Sequence, residues 1–224
     1  MDGAWVALAL TLKVALWATA LNLVLCVGIG YALARWRFPG REVLDALLTL
    51  PLVLPPTVLG YYLLVLIGAQ GPIGAWLLQH FGIRLIFTWQ GAVIAAMVVA
   101  FPLGFKAARA AFETIDAQLE DAARTLGIGE LALFFRVSLP LAWRGVLSGV
   151  LLSFARAMGE FGATLMVAGS IPGRTQTLSI AVYEAVQAGD DHTANFLVGL
   201  ISITCVAMLL AAGRLLPGRV APRD

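Results

Sequence analysis

The sequence is short of charge. Only 12% of its 224 residues are Asp, Glu, Lys or Arg, against 60% hydrophobic ones. With a mean hydropathy of +0.90, this excludes a water-soluble domain, because a chain of this size has too little interior to hide so much apolar surface. Cysteine is nearly lacking too: Cys26 and Cys205 both fall inside apolar runs, which rules out a disulfide framework and leaves them as packing residues. The two histidines, His80 and His192, stand far apart in polar connections, with no second ligand at helical spacing, so no metal site is expected. Gly-x4-Gly-Lys-Ser/Thr, His-Glu-x-x-His, Gly-x-Ser-x-Gly and Cys-x-x-Cys are all missing. The chain therefore has no phosphate loop of its own, and the commonest membrane protease, esterase and redox chemistries have no carrier. No catalytic residue, bound cofactor or nucleic-acid partner is expected.

What is there is apolar helix. Stretches of about 20 residues, the length that crosses a hydrocarbon core of roughly 30 Å, occur at about 6–34, 44–67, 88–105, 145–168 and 194–216. The N-terminal run is too long for a signal peptide and lacks a small-x-small exit, so it reads as a retained helix. The second stretch contains Pro51, Pro55 and Pro56, so its backbone must kink or break. A segment at Leu178 to Val186 reads as an interfacial or re-entrant helix, which makes the count five or six. Between Lys106 and Arg144 lie ten charged residues, five basic and five acidic, and 106–144 is therefore expected to be a loop outside the bilayer. With five spans, one side receives Arg35, Arg37, Arg41, that loop's five basic residues, Arg214, Arg219 and Arg223, eleven of the fifteen. Basic residues are held on the cytoplasmic side, which puts the loop and the C-terminus in the cytoplasm and the N-terminus outside.

Within the loop, Ile115, Leu119, Ala122 and Leu126 recur at i, i+4, i+7 and i+11, one face of a short helix. Thr114 or Asp116 can cap its start, and Gly127 suits the left-handed residue past its end. Ala122 and Ala123 permit close approach, with Asp121 and Arg124 as charged edges. Two readings follow from the residues: a helix that docks in a groove of another protein, or a capped helix closing the base of the spans.

The pattern Asp121-Ala122-Ala123-x3-Gly127-x9-Val137-x-Leu139-Pro140 resembles the loop signature of ATP-binding-cassette importer permeases, with Asp for Glu and Val for Ile. The resemblance implies an all-α membrane fold of the type I importer permease, in a single domain over 1–224. It also implies a bacterial inner-membrane location and a coupling helix that docks on a cytosolic ATPase, carried by Asp121, Ala122, Ala123, Gly127, Leu139 and Pro140. The partners it implies are a second copy of the chain, an ATPase pair that uses the ATP, an extracytoplasmic oxyanion-binding protein and membrane lipid. The stretches Leu50 to Tyr62, Thr88 to Gly91 and Ala155 to Thr164 are similar to the molybdate branch of the family. The last of these is also similar to the sulfate branch. A sulfate permease, a secondary carrier and a membrane enzyme using Glu160 with Arg156 remain as alternatives.

Arg156 and Glu160, four apart, can pair with each other, or Arg156 can lend positive potential to an oxyanion path while Glu160 orients it or meets a neighbouring subunit. Gly159, Gly162 and Thr164 accompany them, and Gly159 and Gly162, like Gly145 and Gly149, permit close helix approach across a dimer axis. Pro55 and Pro56, with Thr57, read either as a broken helix at the pathway or as a packing kink.

Overall fold

The computed structural model describes residues 2–215; the expected end of the fifth span at 216, with Arg219 and Arg223, lies outside them. Helix α1 (Asp2–Arg35) is unbroken. At 1.5 Å per residue its 34 residues reach about 51 Å, which leaves several turns beyond a hydrocarbon core. The expected second span is two helices, α2 (Arg41–Val53) and α3 (Pro56–Ile67), meeting at 115°. Pro55 is extended at φ −55°, ψ 137° and Pro56 opens α3. A residue before proline is driven from the helical region, and neither ring supplies an N–H. Helix α4 (Pro72–Phe81) folds back on the end of α3. There a Cβ on Gly74 would stand 2.0 Å from the Gly68 carbonyl oxygen, so only glycine fits.

Helix α5 (Trp89–Glu113) begins with Thr88 accepting from the Gly91 N–H at 3.2 Å. It runs eight residues past the expected end at 105, so the loop at 106–144 starts as helix. The charges that suggested a boundary are on one face, Lys106, Arg109 and Glu113, while Phe105, Ala108 and Phe112 are buried on the other. Two short helices follow, α6 (Ala117–Thr125) and α7 (Glu130–Leu133), then a π-helical turn at Phe134–Ser138 that feeds α8 (Leu139–Met158).

Helix α8 therefore starts before 145, running on from the π-helical turn without a break, with Pro140 as its second residue, and it stops at Met158 instead of 168. The segment Gly162–Ala168 is a separate helix, α9. Helices α10 (Leu178–Gln187) and α11 (Asp191–Leu215) complete the chain. Among the described residues four helices are long and apolar enough to cross a membrane, and the count is five when the bent α2–α3 pair is taken as one span.

The core is the α1–α5–α8 bundle, with Ala92, Ala96 and Ala100 of α5 fully buried. A Cβ on Gly145 would lie 2.5 Å from the Ala111 Cβ, and one on Gly149 2.8 Å from the Ala107 Cβ. These two glycines bring α8 against α5 of the same chain, which corrects the expectation that they face a dimer axis.

Candidate functional site

One end of the bundle carries Arg35, α6 and the π-helical turn. Asp116 caps α6, its Oδ1 accepting from the Gln118 N–H at 2.9 Å. Gly127, at φ +79°, ends it in the left-handed region that glycine enters without strain. The apolar stripe of the sequence divides: Ile115 is buried, whereas Ala122 is exposed and Leu119 and Leu126 are 50% and 81% exposed. Three of its four members thus point away from the chain, and the helix does not close the base of the spans with them. Asp121 and Arg124 pair at 2.8 Å on the exposed rim, and Arg124 also reaches Glu130 at 2.8 Å. The hydrogen bond from Arg124 holds the Glu130 carboxyl below the usual carboxylate range, and Glu130 in turn raises Arg124.

The inward face of α6 is carried by Ala123 and Glu120. Glu120 is 2% exposed. Arg35 at the end of α1 pairs with it, Nη2 donating to Oε1 at 2.8 Å while Nε stands 2.8 Å from Oε2 as an ionic contact outside hydrogen-bond geometry. The Ser138 hydroxyl donates to Oε1 at 2.7 Å. A buried carboxylate is tolerable only when it is paired and hydrogen-bonded in this way. Ser138 is the residue between Val137 and Leu139, so Glu120 joins the two halves of the loop signature to each other and to α1. The sequence reading missed it. The available signal was its place three residues before Ala123, on the face opposite the apolar stripe. Leu139 packs half-buried in the adjoining core and Pro140 is exposed.

A second ionic group braces the same end. Asp45 of α2 lies between Lys106, at 2.5 Å, and Arg109. Glu113 takes Arg109 at 2.8 Å and Arg41 at 3.0 Å, and Arg41 also donates to the Leu33 carbonyl at 2.8 Å. Helices α1, α2 and α5 are thereby cross-linked beside α6.

The other group of candidates gathers about 30 Å away along the 20 residues of α8, where two broken helices meet. A Cβ on Gly162 would lie 3.2 Å from the Pro56 Cβ and 3.3 Å from the Thr57 Cγ2, and one on Gly60 2.9 Å from the Ala163 Cα. Glycines at the crossing let the start of α3 and α9 touch almost backbone to backbone. Glu160, 2% exposed, fills the break between α8 and α9. Its Oε1 accepts from the Ala163 N–H at 2.8 Å and its Oε2 pairs with Arg156 at 2.9 Å.

The structure thus brings Pro55, Pro56, Glu160, Gly162 and the buried Thr164 into one corner, with Arg156 reaching it from α8. Both Glu160 oxygens are engaged within the chain, and one expectation is corrected here, since Gly162 packs on α3 of its own chain. Gly159 is exposed, with no atom nearer to its ideal Cβ than the Ala155 oxygen at 4.0 Å, and remains open to a neighbour.

Residues 25–222 match the family described as "Binding-protein-dependent transport system inner membrane component". The chain is 43% identical over 212 residues to the molybdenum transport system permease protein ModB of Escherichia coli (strain K12), covering 94% of this chain and 93% of that one. It is 37% identical over 205 residues to the sulfate transport system permease protein CysW of Synechococcus elongatus, covering 90% and 71%. Among solved structures it is similar to the inward-facing MetNI methionine ABC transporter, with a TM-score of 0.70 over 96% of this chain and 93% of that one at 17% identity.

Proposed function

The chain belongs to the family of binding-protein-dependent transport system inner membrane components, and from that premise we propose that two copies of it form the membrane pathway of an ATP-driven molybdate importer. Its sequence holds no phosphate-loop motif. Two cytosolic ATPase subunits dock on α6 through Leu119, Ala122 and Leu126, with Asp121 and Arg124 at the rim. An extracytoplasmic binding protein presents the oxyanion at the opposite end, near an outside N-terminus. The observation that carries this reading is that α6 turns three apolar residues outward while Glu120 fastens its inner face.

A helix gripped on one side and free on the other passes a displacement inward. When ATP closes the ATPase pair, the two α6 helices are drawn together. Ser138 passes that movement to α8 and Arg35 passes it to α1. At the far end of α8 the movement reaches the Pro55–Pro56 and Gly159–Phe161 breaks, where unwound backbone can line water. Arg156, 30% exposed as a side chain, adds positive potential for an oxyanion there.

The test substitutes Trp at Ala122, on the exposed face of α6. The chain still inserts, the ATPase no longer co-purifies in mild detergent, and binding-protein-dependent molybdate uptake is lost. Normal uptake by Ala122→Trp overturns the docking role. Similarity to the sulfate permease supports one second reading, transport of sulfate by the same architecture. Uptake of labelled molybdate and labelled sulfate by a deletion strain carrying this chain separates the two.

A further inference from the structure

Asn22 is 1% exposed on α1. It lies 13 residues before Arg35, a rise of about 20 Å, and so sits deep inside a hydrocarbon core of roughly 30 Å. Its side-chain nitrogen donates to the Met97 carbonyl of α5 at 3.0 Å and to the Ser153 hydroxyl of α8 at 3.1 Å. Its oxygen, Oδ1, is fully buried and meets no partner among the described residues, and the same is true of Oγ1 of Thr19, 7% exposed and three residues earlier. Leaving such a group unpaired costs on the order of 1–3 kcal/mol, and no lipid headgroup reaches this depth.

The two residues line one cavity, together with Ser153, Cys26 and Gly104, which leaves about 10 Å³ to the centre of a water molecule. That is close to the smallest space that holds an ordered water, which needs two to four polar partners as well as room.

We propose that this cavity is a binding site for a single water molecule that joins α1 to α8 inside the membrane. Ser153 accepts from Asn22 and keeps its own hydroxyl proton to give. The water accepts hydrogen bonds from the Ser153 and Thr19 hydroxyls and donates one to Asn22 Oδ1, so each polar atom of the group gains a partner. A metal cation is the poorer occupant: the site offers no carboxylate and its remaining wall is largely carbon, including Val146 and Val150. The site is distinct from the coupling helix and from the Glu160 corner, and it requires neither to act as proposed above.

Hydroxyl-radical footprinting of the full chain in lipid nanodiscs tests it. X-rays generate radicals in place from bound water, and the Cys26 sulfur lies in the wall of the site although the residue is only 3% exposed. Cys26 is oxidised in the native chain, and its labelling is lost in Asn22→Leu/Thr19→Val, whose apolar side chains remove two of the three partners. Thr19→Val alone, a near-isosteric change, lowers it and serves where the double variant folds poorly. An unlabelled Cys26 in the native chain, while the exposed Met166 is oxidised, overturns the proposal. So does labelling that persists undiminished in the variants.

Discussion

Glu120 and Glu160 are both 2% exposed, both paired with an arginine and both given one further donor, yet they hold different things together. The partners of Glu160 are four and three residues away, Arg156 and the Ala163 N–H; they shape one break in one stretch of chain. The partners of Glu120 are Arg35, 85 residues away, and Ser138, 18 away; they bind three separate elements. A local pair fixes a conformation. A long-range pair carries movement between elements, because displacing one strains the others.

Glu120→Ala is therefore expected to have the largest effect. It leaves the Arg35 guanidinium, whose side chain is 17% exposed, without its counter-charge, and breaking such a buried pair costs about 3–5 kcal/mol. Melting of the purified chain should fall steeply and uptake should be lost. Arg35→Met/Glu120→Met separates stability from transmission, since apolar replacement of both partners is often neutral. That variant should recover most of the melting temperature and still move less oxyanion per ATP hydrolysed in liposomes. Full recovery of both quantities breaks the comparison, because Glu120 is then only a structural pair.

Glu160→Ala comes next, with a smaller cost. It removes the carboxylate that accepts from the Ala163 N–H in the first turn of α9, a loss comparable to that of a helix cap at about 1 kcal/mol, and Arg156 can turn its partly exposed side chain to another partner. A modest drop in melting temperature checks it. A loss as large as that of Glu120→Ala shows that distance in sequence does not divide the two sites.

Much of this was legible before the fold was known. The apolar stretches located the membrane helices, Pro55–Pro56 predicted the break, and Asp116 and Gly127 bracketed α6 to within a residue or two. Charged residues are where the reading slipped, in both directions. Lys106, Arg109 and Glu113 suggested the end of a span, but charges confined to one face and neutralised by Asp45 and Arg41 let α5 continue. Glu120 was passed over beside Asp121, because its partners lie too far along the chain for spacing to show. Glu160 looked like part of a continuous span because apolar residues surround it, whereas its side chain accepts from the Ala163 N–H and so starts a new helix, α9. At Gly145 and Gly149 the spacing announced a close helix contact without saying whether the other helix belonged to the same chain.

The smallest effect is expected from the exposed rim. Arg124 holds the Glu130 carboxyl below its ordinary range, so the folded chain binds that proton less readily than the unfolded chain does. The pair accordingly adds stability above the unfolded carboxylate value of about 4.3, and loses it as pH falls through the lower folded value. Both groups are open to water, where ion pairs are screened and weak. Glu130→Gln should leave uptake unchanged at neutral pH. Its melting curve should lie slightly below the native one there, and the two should converge as the pH is lowered past the carboxylate range. If instead this rim substitution abolishes uptake, the charged edge of α6 carries the transmission, and the contrast between a gripping Glu120 and a merely solvated rim no longer holds.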